Sequence, residues 1–441
     1  MMRVASLCNV LGTDWRTQMS ELALFGGPKA VTTTPEERWV QVNSDVKAAV
    51  NELLDQGVIS IGGPTGVIGE FEAAFAQMTG SGYALAMNNG TATLHSAYFA
   101  VGVKPGDEVL LPAYTWHASA TPIIHCAATP VFCDILPETL TIDPDDIERR
   151  ITERTRALCV VHVFGNVCDM DRICDICTRH GISLIEDASH AHGAMWKGKP
   201  VGSFGAVGCF SMQGAKAVSG GEAGVAVTDD PDLLDRMVLL GHFGRPRMGG
   251  VDVVNQIGDM SLGAKYRAHP WAIAMAHVGL KRLPELNERR TANYEFLNDQ
   301  LRDCPGIEVI DALPGASRAA YLEYKFKLSR QAIQAVGRGR IVEAMAAEGA
   351  PVTADRYSDT NYTYGLLHAA PLFTAVDRTT LGGCFYDPTR PGSAPRPALP
   401  VAEDVNQRLI SLPGFIDVER DSLQQVAGAM RKVMEHLDEL N

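Results

Sequence analysis

Residues 208–224 read GCFSMQGAKAVSGGEAG, an apolar strand end that runs into a loop of small residues around a single cation, Lys216. Residues 182–193, earlier in the chain, read ISLIEDASHAHG and form a buried-looking strand that ends in the carboxylate of Asp187. A lysine in such a loop predicts an imine with an aldehyde cofactor, and an acid at a strand end predicts a partner for a protonated pyridine ring. Together the two segments indicate an α/β fold with its site at the ends of the strands.

Composition limits the classes of protein that need to be considered. The chain has 441 residues, of which 46% are hydrophobic, enough to bury a large core. Its net charge of -13 argues against a nucleic-acid partner, because phosphate backbones need basic surfaces. No run of 18 apolar residues occurs, so we expect no membrane span. Residues 1–18 lack an apolar period and a secretory pattern, and we expect a poorly ordered extension before Met19, a possible biological start.

The ten cysteines raise the alternative of a zinc or redox site. Cys174 and Cys177 form a CxxC pair with Cys168 nearby, but they fall in a stretch that reads as a helix with an apolar stripe. A second CxxC and a well-spaced histidine pair are missing. We therefore expect no metal site and interpret the cysteines as reduced, packed side chains of a cytoplasmic protein.

Strands and helices alternate from about residue 45 to residue 285. Continuous apolar strands separated by helices predict a mostly parallel sheet covered on both faces. The pattern changes after residue 285, where a long helix, Glu285 to Leu301, precedes a strand and further helices. We therefore predict a large domain over residues 19–284 and a smaller α+β domain over residues 285–441.

Four polar segments follow predicted strands. They are residues 88–93 (NNGTAT), residues 112–117 (PAYTWH), Asp187, and Ser211 with Lys216. Small residues at a helix N-terminus expose N–H groups to a phosphate, and an aromatic pair past a strand stacks on a flat ring. Each segment alone has an ordinary structural explanation. Together they give a partner to the phosphate, the ring face, the ring nitrogen and the aldehyde of pyridoxal 5′-phosphate.

The ordered set of these motifs resembles the DegT-type aminotransferases, a family of fold type I enzymes that act on keto-sugars, cyclitols and natural-product intermediates. The resemblance runs from about Leu22 to the C-terminus. It implies a mostly parallel seven-stranded sheet in the large domain and a homodimer with active sites at the subunit interface. The reaction it implies moves an amino group from L-glutamate or L-glutamine to a keto or aldehyde group.

The resemblance also assigns roles to individual residues. Lys216 matches the lysine that holds the cofactor covalently, and Asp187 matches the partner of the ring nitrogen. The remaining cofactor-binding positions are Trp116 against the ring, His190 beside the ring hydroxyl, Gly90, Thr91 and Ser211 at the phosphate, and Gln213 in the variant Ser211-Met212-Gln213. Lys265 stands where many members have an asparagine that reaches the neighbouring subunit's phosphate, and a lysine binds phosphate as a point charge.

Several points stay open at the level of sequence. A related enzyme that dehydrates or aromatises a cyclic precursor is one alternative, although dehydratases of this family replace the lysine by histidine. A non-catalytic, cofactor-binding regulator is the other. His117, His125 and His162 are interpreted as packed or hydrogen-bonded side chains, and His192 as a residue one layer behind the site. Weaker candidates for substrate contacts are Arg245, Arg267, Arg356, Tyr357, His368 and the loop 384–400.

Overall fold

A computed structural model of the chain describes residues 20–250, 256–257, 260–317, 320–357, 365–374 and 397–441. The predicted extension over residues 1–18 and most of the loop 384–400 lie outside these ranges. No helix within them is long and apolar enough to cross a lipid bilayer. The same ranges contain no group of three or more histidine, cysteine or acidic side chains placed to bind a metal ion.

Seven strands of the described chain form the main sheet, in the order β1-β9-β8-β5-β4-β2-β3. Their bounds are β1 Tyr83–Met87, β2 Glu108–Pro112, β3 Thr129–Cys133, β4 Thr155–Val161, β5 Ser183–Asp187, β8 Val207–Ser211 and β9 Gly224–Thr228. All neighbours pair in parallel except β9, which runs antiparallel to β1 and β8. The predicted mostly parallel seven-stranded sheet is therefore confirmed.

The strands are apolar on both faces because both faces are covered. Val109 and Leu111 of β2 point into one buried cluster, and Leu110 between them points into the other. This follows from the two-residue repeat of a strand. The helices that alternate with these strands are α1 Ser44–Asp55, α2 Gly66–Thr79, α3 Gly90–Ala100, α4 Thr121–His125, α5 Pro144–Arg150, α6 Met170–His180 and α7 Pro231–Gly241. Burying one such leucine side chain contributes about 1.5–3 kcal/mol.

Two smaller sheets accompany the main one. The antiparallel sheet has the order β10-β12-β14-β13, and a further sheet has the order β11-β6-β7. Their strands are β6 Met195–Trp196, β7 Lys199–Pro200, β10 Ile307–Val309, β11 Ala316–Ser317, β12 Glu323–Leu328, β13 Thr353–Ala354 and β14 Leu409–Pro413. A third buried cluster, which includes Phe326, Ile410 and Met430, covers the antiparallel sheet.

The longest helix, α8, runs from Pro270 to Leu301 and starts well before the predicted position at Glu285. Pro270 occupies its first turn, where a missing N–H needs no partner, and Pro284 lies inside it. The predicted domain division between residues 284 and 285 falls within this helix and stays a prediction. The later helices are α9 Arg330–Ala335, α10 Arg338–Ala347, α11 Pro371–Thr374, α12 Pro400–Arg408 and α13 Arg420–Glu435.

Candidate active site

A buried carboxylate stands at the end of β5, beside the end of β8. Asp187 is 6% exposed, and its position in β5 pairs with Cys209 of β8. The Ser119 hydroxyl donates to Asp187 Oδ2 at 2.8 Å, and the Ser189 N–H donates to Oδ1 at 3.2 Å. Two donors fix the orientation of the carboxylate. Asp187 is therefore able to hold a protonated nitrogen at the edge of the sheet.

The loop after β8 carries Lys216 in a tight turn. The Lys216 N–H donates to the Gln213 carbonyl at 2.8 Å, and the Ala215 N–H donates to Gln213 Oε1 at 2.9 Å. Burial lowers the pKa of Lys216 from 10.5 to about 8, Asp187 acts in the opposite direction, and Arg356 lowers it further. A lysine with such a pKa has a neutral, nucleophilic fraction near neutral pH.

The start of α3 approaches the end of β8 closely. Asn89 caps the helix by accepting the Ala92 N–H at 2.7 Å, so Gly90 and Thr91 form the first turn. A Cβ atom on Gly90 would lie 2.6 Å from Cβ of Ser211, a separation that side chains do not tolerate. The glycine thus leaves a small cradle between a helix N-terminus and a serine. Such an N-terminus favours a phosphate through its N–H groups and its dipole.

His190 lies between this edge and the loop after β4. The Phe164 N–H donates to its Nδ1 at 3.1 Å, which places the hydrogen of the neutral ring on Nε2. Burial lowers the pKa of His190 well below 6.5, and the positive charges of Lys216 and Arg356 lower it further. The imidazole is therefore neutral and has one N–H to donate.

Trp116 is 40% exposed, which is unusual for so large a ring in this core. The centre of its ring lies 6.5 Å from the centre of the Tyr357 ring. The Tyr357 ring in turn lies 5.9 Å from the Phe164 ring, and the Phe164 ring contacts His190. The structure thus brings Lys216 within electrostatic reach of Asp187 and His190, and the rings of Tyr357 and Phe164 connect Trp116 with His190.

Comparison with known proteins identifies the family. The family model of the DegT/DnrJ/EryC1/StrS aminotransferases matches residues 40–381. The chain belongs to this family. It is accordingly a pyridoxal 5′-phosphate-dependent aminotransferase with the fold of type I enzymes, as its sequence predicts.

Similar members of the family act on cyclitols. The chain is 34% identical to L-glutamine:2-deoxy-scyllo-inosose aminotransferase from Streptomyces kanamyceticus over 434 residues, which cover 95% of this chain and 98% of the relative. It is 33% identical to L-glutamine:scyllo-inosose aminotransferase from Streptomyces griseus, over 96% of this chain and 99% of that protein. Among solved structures, DesI in the presence of its TDP-sugar product is 29% identical, with a TM-score of 0.75 over 96% of this chain and 98% of DesI.

Two further predicted cofactor-binding residues, Gln213 and Lys265, are exposed. The side chain of Gln213 completes the turn before Lys216. Lys265 has a left-handed backbone at φ 58°, and its carbonyl accepts from Asn88 Nδ2 at 3.4 Å. Their contacts with the cofactor stay predictions.

The weaker candidates separate into two groups. Arg356 and Tyr357 lie by the site, because Arg356 shifts the pKa of Lys216 and Tyr357 contacts Trp116. The others are placed elsewhere: Arg245 pairs with Glu72 at 2.7 Å, His368 contacts Glu403 at 2.9 Å, and Arg267 forms a backbone bridge to Met87.

The predicted hydrogen bonding of His162 is visible. Its Nε2 lies 3.2 Å from Glu186 Oε2, and its Nδ1 accepts the Cys168 N–H at 3.2 Å. His192 contacts the rings of Phe75 and Phe210, and its place one layer behind the site stays a prediction.

Sequence reasoning missed two residues that shape the site. Ser119 orients Asp187 from a distant turn, and no motif marks it except its nearness to Trp116. Phe164 has a left-handed backbone at φ 50°, rare for a side chain that is not glycine, and this conformation directs its N–H to His190.

Proposed function

We propose that this enzyme transfers the amino group of L-glutamine to the ketone of a cyclitol of the scyllo-inosose class. The observation that carries the chemistry is the Lys216 amine, with its lowered pKa, beside the buried carboxylate of Asp187. The names of the relatives in Streptomyces kanamyceticus and Streptomyces griseus support the donor and the acceptor. A role in the biosynthesis of an aminocyclitol natural product, such as an antibiotic, follows from this substrate pair.

Different residues of the site would hold the phosphate, the ring and the ring hydroxyl of the cofactor. Gly90, Thr91 and Ser211 take the phosphate at the start of α3, and Trp116 covers the ring. His190 donates its Nε2 hydrogen toward the ring hydroxyl, since its Nδ1 already accepts from Phe164. When bound, the cofactor supplies an aldehyde and an electron-withdrawing ring.

Lys216 and Asp187 carry the proton chemistry. Asp187 keeps its negative charge at the ring nitrogen, and the Ser119 hydroxyl holds it in place. With the cofactor bound, the Lys216 amine would move a proton from the donor's Cα to the cofactor in the first half of the reaction, and from the cofactor to the acceptor carbon in the second half. Positioned proton transfer of this kind contributes about a hundred- to ten-thousandfold. Arg356, a cation close to Lys216, orients the carboxylate of the donor.

A half-reaction tests the donor. Single amino acids are added to the pyridoxal form of the enzyme, and conversion to the pyridoxamine form is followed by absorbance. We expect glutamine to convert the enzyme fastest, and conversion by glutamate alone would refute the choice of donor. The loaded enzyme is then mixed with scyllo-inosose, 2-deoxy-scyllo-inosose or a nucleotide-linked keto-sugar. Turnover of only the nucleotide-linked sugar would refute the cyclitol assignment.

We further propose a homodimer in which Lys265 of each subunit reaches the phosphate of the other site. The support is that the Lys265 side chain is exposed, as contact with a neighbouring subunit requires. Lys216→Ala and Lys265→Ala proteins are each expected to have little activity. Mixed dimers would regain part of it, because one of the two sites then has both lysines. No recovery in a mixture shown to exchange subunits would contradict this arrangement.

The proposed location is the cytoplasm. Eight cysteines of the described ranges are free thiols, which fits a reducing compartment. Cell fractionation checks the location, and recovery of the enzyme outside the cytoplasmic fraction would contradict it.

A further inference from the structure

A cavity of about 130 Å³ lies between α8 and the loop that carries Lys216. One face of the helix forms its longest wall, because the lining positions recur every three or four residues. These positions are Met275, Gly279, Arg282, Leu286 and Arg290. The loop residues Ala215–Ala217 and Ser219 form the opposite wall, with Trp39 and Gln41 beside them. Since one water needs only about 10–15 Å³, the cavity has room for a small organic ion.

Arg290 lines this cavity, and two nitrogens of its guanidinium are buried without a partner in the described part of the chain. Arg290 is 8% exposed, and neither its Nε nor its Nη1 has a hydrogen-bond partner among the described residues. Burial lowers the pKa of Arg290 to about 10, and Glu37 opposes this shift, so the side chain is charged at neutral pH. A buried charge without a hydrogen-bonded partner is costly, which makes a ligand of opposite charge favourable here.

The nearest acid does not fill this role. The Glu37 carboxylate accepts N–H groups from Trp39 at 2.9 Å, Ile416 at 2.8 Å and Asp417 at 2.9 Å. Glu37 is thus held by the backbone, and it is not one of the residues that line the cavity. No aspartate or glutamate is among those lining residues.

A second arginine adds positive charge without offering the same donors. Arg282 stacks on the Trp39 ring at 4.0 Å, and its Nη1 donates to the Val40 carbonyl at 3.2 Å. It raises the positive potential of the cavity while its position is fixed by other groups. One guanidinium with open donors balances one negative charge, which favours a monoanion over a phosphate dianion.

We propose that this cavity binds a small monovalent anion, a carboxylate or a halide, against Arg290. The cavity is lined in part by Lys216 and so adjoins the loop that holds the cofactor, but an anion bound there goes beyond the transfer of the amino group. Its second wall is the loop of Lys216, whose carbonyl accepts from Gln41 Nε2 at 3.4 Å. A bound anion therefore ties α8 to this loop and stabilises the holoenzyme.

Thermal unfolding of the holoenzyme in sodium acetate and in sodium bromide, at constant ionic strength, tests this site. We expect the unfolding midpoint to rise with either anion or both in the wild type and to stay constant in Arg290→Gln. Arg289→Gln is the matched control, because Arg289 is the next residue of α8 but pairs with the partly exposed acids Glu285 and Asp417. A response to acetate alone assigns a carboxylate, and a response to bromide alone assigns a halide. Equal responses in all three proteins would overturn the proposal.

Crystals of the holoenzyme give a direct answer even where Arg290→Gln fails to fold. Crystals soaked in bromide or bromoacetate should show an anomalous peak in the cavity beside the guanidinium of Arg290. Electron density for water alone in the cavity, under both conditions, would overturn the site.

Discussion

The reaction of cofactor-free protein with pyridoxal 5′-phosphate should depend on pH in a way that reports the pKa of Lys216. Only the neutral amine adds to an aldehyde, and burial lowers this pKa from 10.5 to about 8. At pH 7 the neutral fraction is then about 9%, compared with about 0.03% for an ordinary lysine. The protein should therefore react roughly three-hundredfold faster than an ordinary lysine of equal nucleophilicity.

Stopped-flow absorbance over a series of pH values measures this rate. The rate should rise about tenfold per pH unit below pH 8 and level off above it, because the amine is then already neutral. Asp187 raises the pKa of Lys216, so Asp187→Asn should move the midpoint below 8. Lys216→Arg is the control without a reactive amine. A wild-type rate that still rises tenfold per unit near pH 10 would refute the assignment of a buried, neutral lysine.

Three substitutions test the structure around the site. Gly90→Ala places a Cβ 2.6 Å from Cβ of Ser211, the last residue of β8, and should weaken cofactor binding by about 1–3 kcal/mol, as measured by equilibrium dialysis. Gly63→Ala is the control, because a Cβ there meets nothing within 4 Å. Equal affinities of the two variants for the cofactor would contradict the cradle. Ser119→Ala removes a hydrogen bond to a carboxylate, worth about 1.5–3 kcal/mol, and should lower kcat while the cofactor stays bound. Lys325→Met removes the ion pair of the buried Asp355 carboxylate and should lower the free energy of unfolding in urea by about 3–5 kcal/mol; a loss below about 1 kcal/mol would show that the pair is not buried in solution.

The parts of the fold that local sequence determines were predictable. Strand β1, Tyr83–Met87, is an example, because a continuous apolar run between turn residues has one reasonable interpretation. The location of β9 could not be predicted in the same way, since it is short and follows directly on a glycine-rich loop. The start of α8 was misplaced because Pro284 resembles a helix start, whereas the packing of the long helix tolerates a proline in its interior.

The site shows the same division between local and distant determinants. Lys216 stands out in sequence because it is a lone cation in a loop of small residues, and Asp187 because it is a carboxylate at the end of an apolar strand. The hydrogen bond from Ser119 to Asp187 joins residues far apart in the chain, and the lone guanidinium of Arg290 stands out only when the helix is packed against its neighbours. Contacts of this kind depend on the folded topology, and no spacing in the sequence encodes them.

The continuity of α8 has a practical consequence for protein engineering. Asn287 Nδ2 donates to the His192 carbonyl at 2.9 Å, and Asn293 Nδ2 donates to the Ile416 carbonyl at 3.0 Å. One uninterrupted rod, about 48 Å long, thus connects the cofactor-side loop after β5 with the turn that follows β14. A split-protein pair or a circular permutant cut between residues 284 and 285 would sever this rod, so tags and new termini belong in other segments.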